Sequence, residues 1–554
     1  MKSSDLFVRQ LEAEGVEYIF GLPGEENLDF LDSLRNSKIK LIGTRHEQAA
    51  AFMAVTYGRL TGKAGVCFAT LGPGATNLVT GIAQAQLIGA PLISISGQKA
   101  VRDNRQAGFQ LVDIVSLMKP ITKRSVSIAD PNLIPTVLRN AFKLAEAERP
   151  GAVHIELPED IAACQADSAV HPRGTIGAEQ ADKQTLDRAV QLINEAKYPL
   201  IIVSAAGNRK PITKELLNLL DVSGIYVVQT QLGKGVVPYD SPHTLHSASI
   251  HRHDYVNYGF DIADLIITIG YHIIEYPPAV WNRHVDKNIL HIDYVQAETD
   301  RYFNPSLEVI GDIAASLEYI AAEINKRRDF PVFKKAKGLL DSKLEEPVQE
   351  KYPPYPQQIV RQVRQALSKK DIITLDNGIY KLWFSRLYKT YERNTVLLDN
   401  ALASMGTGLP SAIAAKLVHP DRKVLAICGD GGFMMNSQEL ETALRLDLPV
   451  VVLILNDNGF GFIKWEQKAK KFAPFGLDHT NPDFVAYARA YGAEGFRVEK
   501  GDNLAEVLKN AFALNKVALV ECPIDYSINY DVFSLELKEM VYGLYQMVHR
   551  PQNR

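Results

Sequence analysis

The sequence predicts an α/β protein built from three doubly wound, mostly parallel-sheet domains. Three observations predict it. The 554 residues suffice for about three domains of roughly 150–200 residues each. Short β-branched runs alternate with helix-length segments from end to end, the pattern of strand–helix–strand units in parallel sheets. Two polar stretches, at 165–184 and 334–357, divide those runs into three groups, and the second ends in the proline-rich YPPYPQQ, a linker composition.

The elements follow in order. MKSSDLFVRQLEAEG, at the start, has an amphipathic helix pattern with charges throughout, unlike a signal peptide. Strand-like runs at 40–43, 65–69, 91–95 and 152–156 make a first domain, 1–165. Runs at 200–203, 225–228, 265–269 and 289–292 make a central domain, 185–330. Runs at 372–375, 396–398, 424–427, 450–454 and 518–521 make a third, 355–540, followed by a tail, 541–554, in which Tyr542, Leu544 and Met547 form an apolar stripe. Open parallel sheets bind ligands at the carboxyl ends of their strands, so the functional residues are sought there.

Composition excludes several classes. A net charge of −3 without a basic run gives no reason to expect nucleic acid or an anionic membrane as partner. No apolar stretch approaches the ~20 residues of a membrane span. The four cysteines, Cys67, Cys164, Cys428 and Cys522, are far apart and have no metal-ligand spacing. The expectation is a soluble, cytoplasmic protein.

The third domain carries the sharpest signal. An apolar run ends at CGDGGFMMN (428–436), with one carboxylate, Asp430, between Gly429 and Gly431–Gly432. The next run ends at LNDNG (455–459), with a second, Asp457, one strand–helix–strand unit further on. Adjacent parallel strands place the two side by side. A GDG turn alone is as well explained by an Asx-capped strand end; the paired strand-end acids favour a metal. Two carboxylates and a backbone carbonyl, with water and phosphate oxygens, suit Mg²⁺. Glycines admit a diphosphate, and a helix expected to start at Asn436–Ser437 offers N–H groups. The ligand loop is not contiguous, which excludes an EF-hand.

GDG followed at that distance by an Asn-rich strand end resembles the thiamin diphosphate motif, and the chain looks like the thiamin-diphosphate-dependent family that includes acetolactate synthase. The dipeptide Asn456-Asp457, where the family usually has Asn-Asn, resembles the FAD-free catabolic members. The match implies thiamin diphosphate and Mg²⁺ as cofactors, with Asp430, Asp457 and the carbonyl of Gly459 as metal ligands and Phe460 beside them. It implies that the first domain binds the aminopyrimidine and the third the diphosphate. RHEQAAAFMA resembles the segment bearing the family's catalytic glutamate, here Glu47, which is needed against N1′ of the aminopyrimidine in a water-poor place. Read alone, Glu47 is a helix N-terminal carboxylate favoured by the dipole.

Further segments match. ATLGPGATNLV resembles the loop beside the cofactor, which implicates Gly72 and Asn77. ASMGTGLP resembles the segment that bends the cofactor: Met405 wedges between its rings and the Ala403 carbonyl accepts from its amino group. A lone methionine is otherwise core filler. Phe109 and Gln110 resemble a segment near the substrate, core packing being the alternative for Phe109. Ile463, Trp465 and Glu466, in the helix expected after the metal loop, are candidates to shape the acceptor pocket, and Trp383 matches a family tryptophan. The segment IGYHIIEYPPAVW (269–281) lacks the pattern of the FAD-binding members, so FAD is not expected.

The resemblance implies a homodimer or homotetramer with active sites between subunits, and a 2-oxoacid substrate. The implied reaction decarboxylates pyruvate and joins the two-carbon unit to a second 2-oxoacid, giving acetolactate. Another decarboxylase, carboligase or lyase of the same cofactor, acting on a different 2-oxoacid, acyl-CoA or aldehyde, remains open. Glu47 argues against glyoxylate carboligase, which lacks it, and against a non-catalytic paralogue. His251 and His253 lack a third ligand nearby and do not suggest a metal.

Overall fold

Each domain is built on six parallel strands, and in each the sheet order reverses near its middle. The computed structural model describes residues 1–102, 108–174, 177, 179–248, 256–326, 328–529 and 531–536; the two histidines of 251–253 and the tail 541–554 lie outside them. The first sheet holds β1 (Tyr18–Gly21), β2 (Lys40–Gly43), β3 (Gly65–Ala69), β4 (Leu92–Gln98), β5 (Arg124–Ser127) and β6 (Ala152–Pro158), ordered β2-β1-β3-β4-β6-β5. The second holds β7 (Pro199–Val203), β8 (Tyr226–Gln229), β9 (Thr244–Ser247), β10 (Leu265–Ile269), β11 (Asn288–Asp293) and β12 (Leu307–Ile310), ordered β12-β11-β10-β7-β8-β9. The third holds β13 (Ile372–Leu375), β14 (Val396–Leu397), β15 (Val424–Gly429), β16 (Val451–Asn456), β17 (Glu494–Arg497) and β18 (Ala518–Pro523), ordered β14-β13-β15-β16-β18-β17.

Five of these strands, β1, β5, β9, β12 and β17, are not among the expected runs. Four of them are sheet edges, where one side of the ladder is open and, in all but β9, burial is incomplete. The sequences RSVS and EGFR show it: their residues are half-buried or exposed. β1 is interior, but it has only four residues and ends in glycine.

Two other expectations are corrected. The stretch 334–357 is not all linker: a helix, Pro331–Leu344, runs into it and buries Phe333, Ala336 and Leu340 along one face. The helix after the GDG turn does not wait for Asn436–Ser437. It starts at Asp430 itself (Asp430–Met435), and a second helix follows at Glu439–Arg445.

The third domain is packed against both others. Helix Glu47–Thr61 of the first domain lies on helix Gly408–Val418 of the third through small side chains: Ala50, Ala51 and Ala54 share one buried cluster with Ala412, Ala414 and Ala415. Small residues let two helix backbones approach closely, and Thr56 Oγ1 reaches Ser411 Oγ at 3.0 Å across the seam. At the far end of the same helix the buried Arg59 donates to the Leu398 carbonyl at 2.8 Å. Its guanidinium is attracted by Glu275 of the central domain and Asp399 of the third, although burial dominates and lowers its pKa to about 10. One side chain thus meets all three domains. Among the described residues no helix is long and apolar enough to cross a membrane.

Candidate active site

Three neighbouring strands of the third sheet, β13, β15 and β16, are each followed at once by an aspartate: Asp376, Asp430 and Asp457. The parallel register pairs Leu375 with Ile427 and Gly429 with Leu455. This brings the three carboxyl groups to one edge of the sheet. Asp376 and Asp430 are almost fully buried. Burying carboxylates together is costly unless each finds a partner, and the three are treated differently.

Asp376 is met by backbone donors. Its oxygens accept from the N–H groups of Asn377 at 2.6 Å, Gly406 at 2.9 Å and Gly408 at 3.2 Å. Burial still pushes its pKa up to about 6, against those hydrogen bonds and the Lys381 charge. Gly432 packs closely on Asp376: a Cβ there would lie 3.1 Å from the carboxyl carbon and press the carboxylate aside. Asp376 was not among the residues expected from the sequence. Its signal, a third strand-end acid in LDNG, was present.

Asp430 accepts from the Gly431 N–H at 2.9 Å and, on its other oxygen, from Asn481 Nδ2 at 2.7 Å. His479 Nε2 lies 3.2 Å from that second oxygen. The Asn481 amide also reaches the side-chain oxygens of Asn456 at 3.2 Å and Asn458 at 3.0 Å, so it ties the two strand ends together. Nothing in the motif spacing pointed to His479 or Asn481, which arrive from a loop well beyond β16.

Asp457 is left with the least compensation. Burial, and then the Asp430 charge, push its pKa up to about 7, with Lys464 opposing. A pair of adjacent oxygens carrying excess negative charge is what a divalent cation relieves. The donor set therefore fits Mg²⁺.

A cavity opens over these groups. It is lined by Asn377, Met405, Gly429, Asp430, Gly431, Gly432, Asp457, Gly459, Phe460 and Ile463, among others. Nine of the expected residues thus share one wall. Gly431 is crowded by the Phe460 ring, 2.9 Å from where its Cβ would stand, so a side chain there would displace the ring and close the floor. Ala403 does not line the cavity but belongs to the loop that carries Met405. It has a positive φ of 56°, and its N–H donates to Asp399 Oδ2 at 2.8 Å. The loop is suspended from two carboxylates, Asp399 before Met405 and Asp376 after it.

The other expected substrate residues are dispersed. Trp465 is buried against Phe462 and Phe533 and lines a neighbouring cavity that shares Asp457, Gly461 and Tyr526 with the first. Glu466, on helix Gly461–Ala469, is among the lining residues of neither. Trp383 is buried, donates to Asn529 Oδ1 at 2.9 Å and packs on Phe533.

The first domain gathers its own group. Glu47 opens its helix as expected and is 7% exposed. Asn77 Nδ2 donates to Glu47 Oε2 at 3.0 Å. Gly72, with a positive φ of 48°, lies under Gln110, whose carbonyl is 2.6 Å from where a Cβ would stand. Phe109 is 78% exposed, so core packing does not account for it. None of these residues lines the cavity over Asp430.

Comparison with known proteins identifies the three domains. Three thiamine pyrophosphate enzyme models match in order: the N-terminal TPP binding domain over residues 1–117, the central domain over 186–320 and the C-terminal TPP binding domain over 376–522. The acetolactate synthase of Bacillus subtilis (strain 168) is 33% identical over 97% of this chain and 95% of its own. The catabolic acetolactate synthase of Raoultella terrigena is 34% identical, covering 95% of each. A chloroplastic acetolactate synthase of Arabidopsis thaliana is 32% identical over 92% of this chain and 79% of its own. The chain belongs to the acetolactate synthase-like family of thiamine pyrophosphate enzymes.

The suspension of the Met405 loop is testable without a ligand. Asp376→Ala leaves the Asn377, Gly406 and Gly408 N–H groups without their acceptor, at about 1–3 kcal/mol per orphaned donor. Amide hydrogen exchange of residues 403–408 should accelerate. Asp376→Asn keeps one acceptor oxygen and should accelerate it less.

Proposed function

We propose that this chain is an acetolactate synthase of the thiamin-diphosphate- and Mg²⁺-dependent type, taking pyruvate as donor and a second 2-oxoacid as acceptor. The observation that carries the reading is the pair Asp430 and Asp457, side by side at adjacent strand ends over a glycine-lined cavity, in a chain that acetolactate synthases match almost end to end. When bound, thiamin diphosphate supplies the carbon nucleophile that adds to the 2-oxo group and accepts the electrons released as CO₂ leaves.

The chain's own residues do the rest. Asp430, Asp457 and the Gly459 carbonyl hold Mg²⁺, and through it a diphosphate, while Gly431 and Gly432 let the backbone close on the phosphates. Met405 provides an apolar support and the Ala403 carbonyl an acceptor for the aminopyrimidine. Glu47 holds the proton shared with N1′, and its buried setting beside Asn77 keeps water from competing for it. Ile463 and the cavity beside Trp465 border the substrate space.

Glu47 lies away from the cavity wall that carries Asp430. This supports an assembly of two or four copies in which the glutamate of one subunit completes the site of another. The reading without FAD rests on the segment 269–281, which lacks the pattern of the FAD-binding members. At the sheet-order reversal between β7 and β10, where such sheets take nucleotides, a small cavity is lined by Arg149, Arg209, His272, Glu275 and Asp293. Arg149 meets His272 there at 2.6 Å, and Glu275 is buried on Ser204 and Thr230. Four free cysteines, three of them buried, suit the cytoplasm.

Incubation with pyruvate, thiamin diphosphate and Mg²⁺, without FAD, should yield acetolactate by NMR. Acetaldehyde alone would sink the carboligase reading, and cofactor binding without pyruvate consumption would require another substrate. Glu47→Gln should retain cofactor affinity and lose about 10²–10⁴ in turnover.

Mg²⁺ binding should depend on pH. Asp457, with its pKa near 7, must release a proton to solvent for the metal to bind below that pH and need not above it. The apparent Mg²⁺ affinity should therefore fall by up to about tenfold per pH unit below 7 and level off above. Calorimetry in buffers of different ionisation enthalpy should detect the released proton. Asp457→Asn should remove the slope.

A further inference from the structure

Beyond the site described above lies a carboxylate that neither the motif nor the cavity uses. Glu439 opens helix Glu439–Arg445 in the third domain and is fully buried. Among the described residues no ion pair holds it. Its partners are the backbone N–H of Arg45, at 3.0 Å to Oε1 and 3.3 Å to Oε2, the N–H of His46, and the hydroxyl of Thr442 at 2.6 Å. Arg45 and His46 immediately precede Glu47, the first residue of its helix.

The same short segment grips this turn at two more points. Arg445 donates to the Gly43 carbonyl at the end of β2. Asn436 Nδ2 reaches Gln48 Oε1 at 3.4 Å and the Gly406 carbonyl at 2.7 Å. His46 itself caps the helix, its Nδ1 accepting from the Gln48 N–H at 3.0 Å. Residues 43–48 are thus held from a different domain of the same chain, and the middle contact is a carboxylate buried without a counter-ion. Such a group is costly to bury, yet its two oxygens satisfy several donors at once.

We infer that Glu439 is a positioning residue for Glu47: it fixes the Arg45–His46 turn from which the glutamate is presented. This rests on the catalytic reading of Glu47. A helix that begins at Glu47 moves with the turn before it, and a displacement of about 1 Å in a catalytic group can cost on the order of 10²-fold. Glu439 touches neither cavity, so its removal should change the rate of proton transfer without changing how the diphosphate is held.

The test uses the full-length enzyme loaded with thiamin diphosphate and Mg²⁺. Hydrogen–deuterium exchange at C2 of the bound cofactor, read by quenched-flow NMR, reports Glu47 function without any 2-oxoacid. Glu439→Ala should slow this exchange and kcat roughly 10–100-fold, with cofactor affinity and the KM for pyruvate unchanged. Glu439→Gln, whose amide oxygen accepts the same N–H groups, should restore most of the rate. Should the alanine variant fail to fold, Glu439→Asp takes its place, since its shorter side chain withdraws from Arg45 and should slow exchange likewise. Wild-type exchange in the folded alanine or aspartate variant overturns the inference, and so does an equal loss in the glutamine variant. Glu47→Gln is the control. If it exchanges at the wild-type rate, the reading of Glu47 fails. If it is slow while Glu439→Ala is not, only the role of Glu439 fails.

Discussion

Crowding of negative charge at the ends of β13, β15 and β16 is the constraint around which the third domain is arranged. Parallel strands in register place whatever follows them in a row, and here aspartate follows all three. Burial strips such groups of hydration, and the Asp430 charge adds to the burden on Asp457. Asp376 is compensated by backbone N–H groups that also shape the Met405 loop. Asp430 is compensated by Gly431 and the Asn481 amide. Asp457 has no comparable donors and its pKa rises to about 7. The glycines fit the same close packing, because a Cβ at 431 would meet the Phe460 ring and one at 432 would press on Asp376. A cation and a diphosphate are the natural complement to what remains.

The domains are joined so that this arrangement and the glutamate are set by one scaffold. Helix Glu47–Thr61 has the Glu439 contact before its first turn, an alanine seam against helix Gly408–Val418 along its length, and Arg59 between Glu275 and Asp399 at its far end. The segment from Asp430 to Arg445 has a metal-ligand candidate at its start and the grip on residues 43–48 at its end. Close packing in interiors leaves little slack for one end to shift alone. Lys381 adds a further tie: it donates to the Asn377 side chain and the Asp399 carbonyl, and burial lowers its pKa to about 8.

The groups legible in the sequence share one property: they are local. GDG and the LNDNG strand end sit one strand–helix–strand unit apart, so their adjacency follows from parallel topology alone. Glu47 was legible as the start of a helix after a strand. Apart from the four-residue β1, the interior strands announced themselves by apolar runs, whereas four of the six edge strands, β5, β9, β12 and β17, did not, because an edge strand need not be apolar on both faces. The helix at Pro331–Leu344 was hidden in a charged stretch whose three buried residues face one way. Asn481, His479 and Glu439 were illegible for a different reason. Each is a polar residue whose partner lies far along the chain, and no spacing rule connects them.

The amino-acid sequence by itself determined the three α/β domains and the placement of Asp430 and Asp457 at neighbouring strand ends, because periodicity and turn chemistry act over a few residues; Glu47 stood out only through the resemblance of its segment to a family motif. Only the tertiary structure decided which buried carboxylate is satisfied by donors and which is left with a raised pKa, that Trp465 borders the cavity next door, and that Glu439 meets the turn before Glu47. Those outcomes depend on desolvation and on hydrogen bonds between distant segments, and neither exists until the chain has folded.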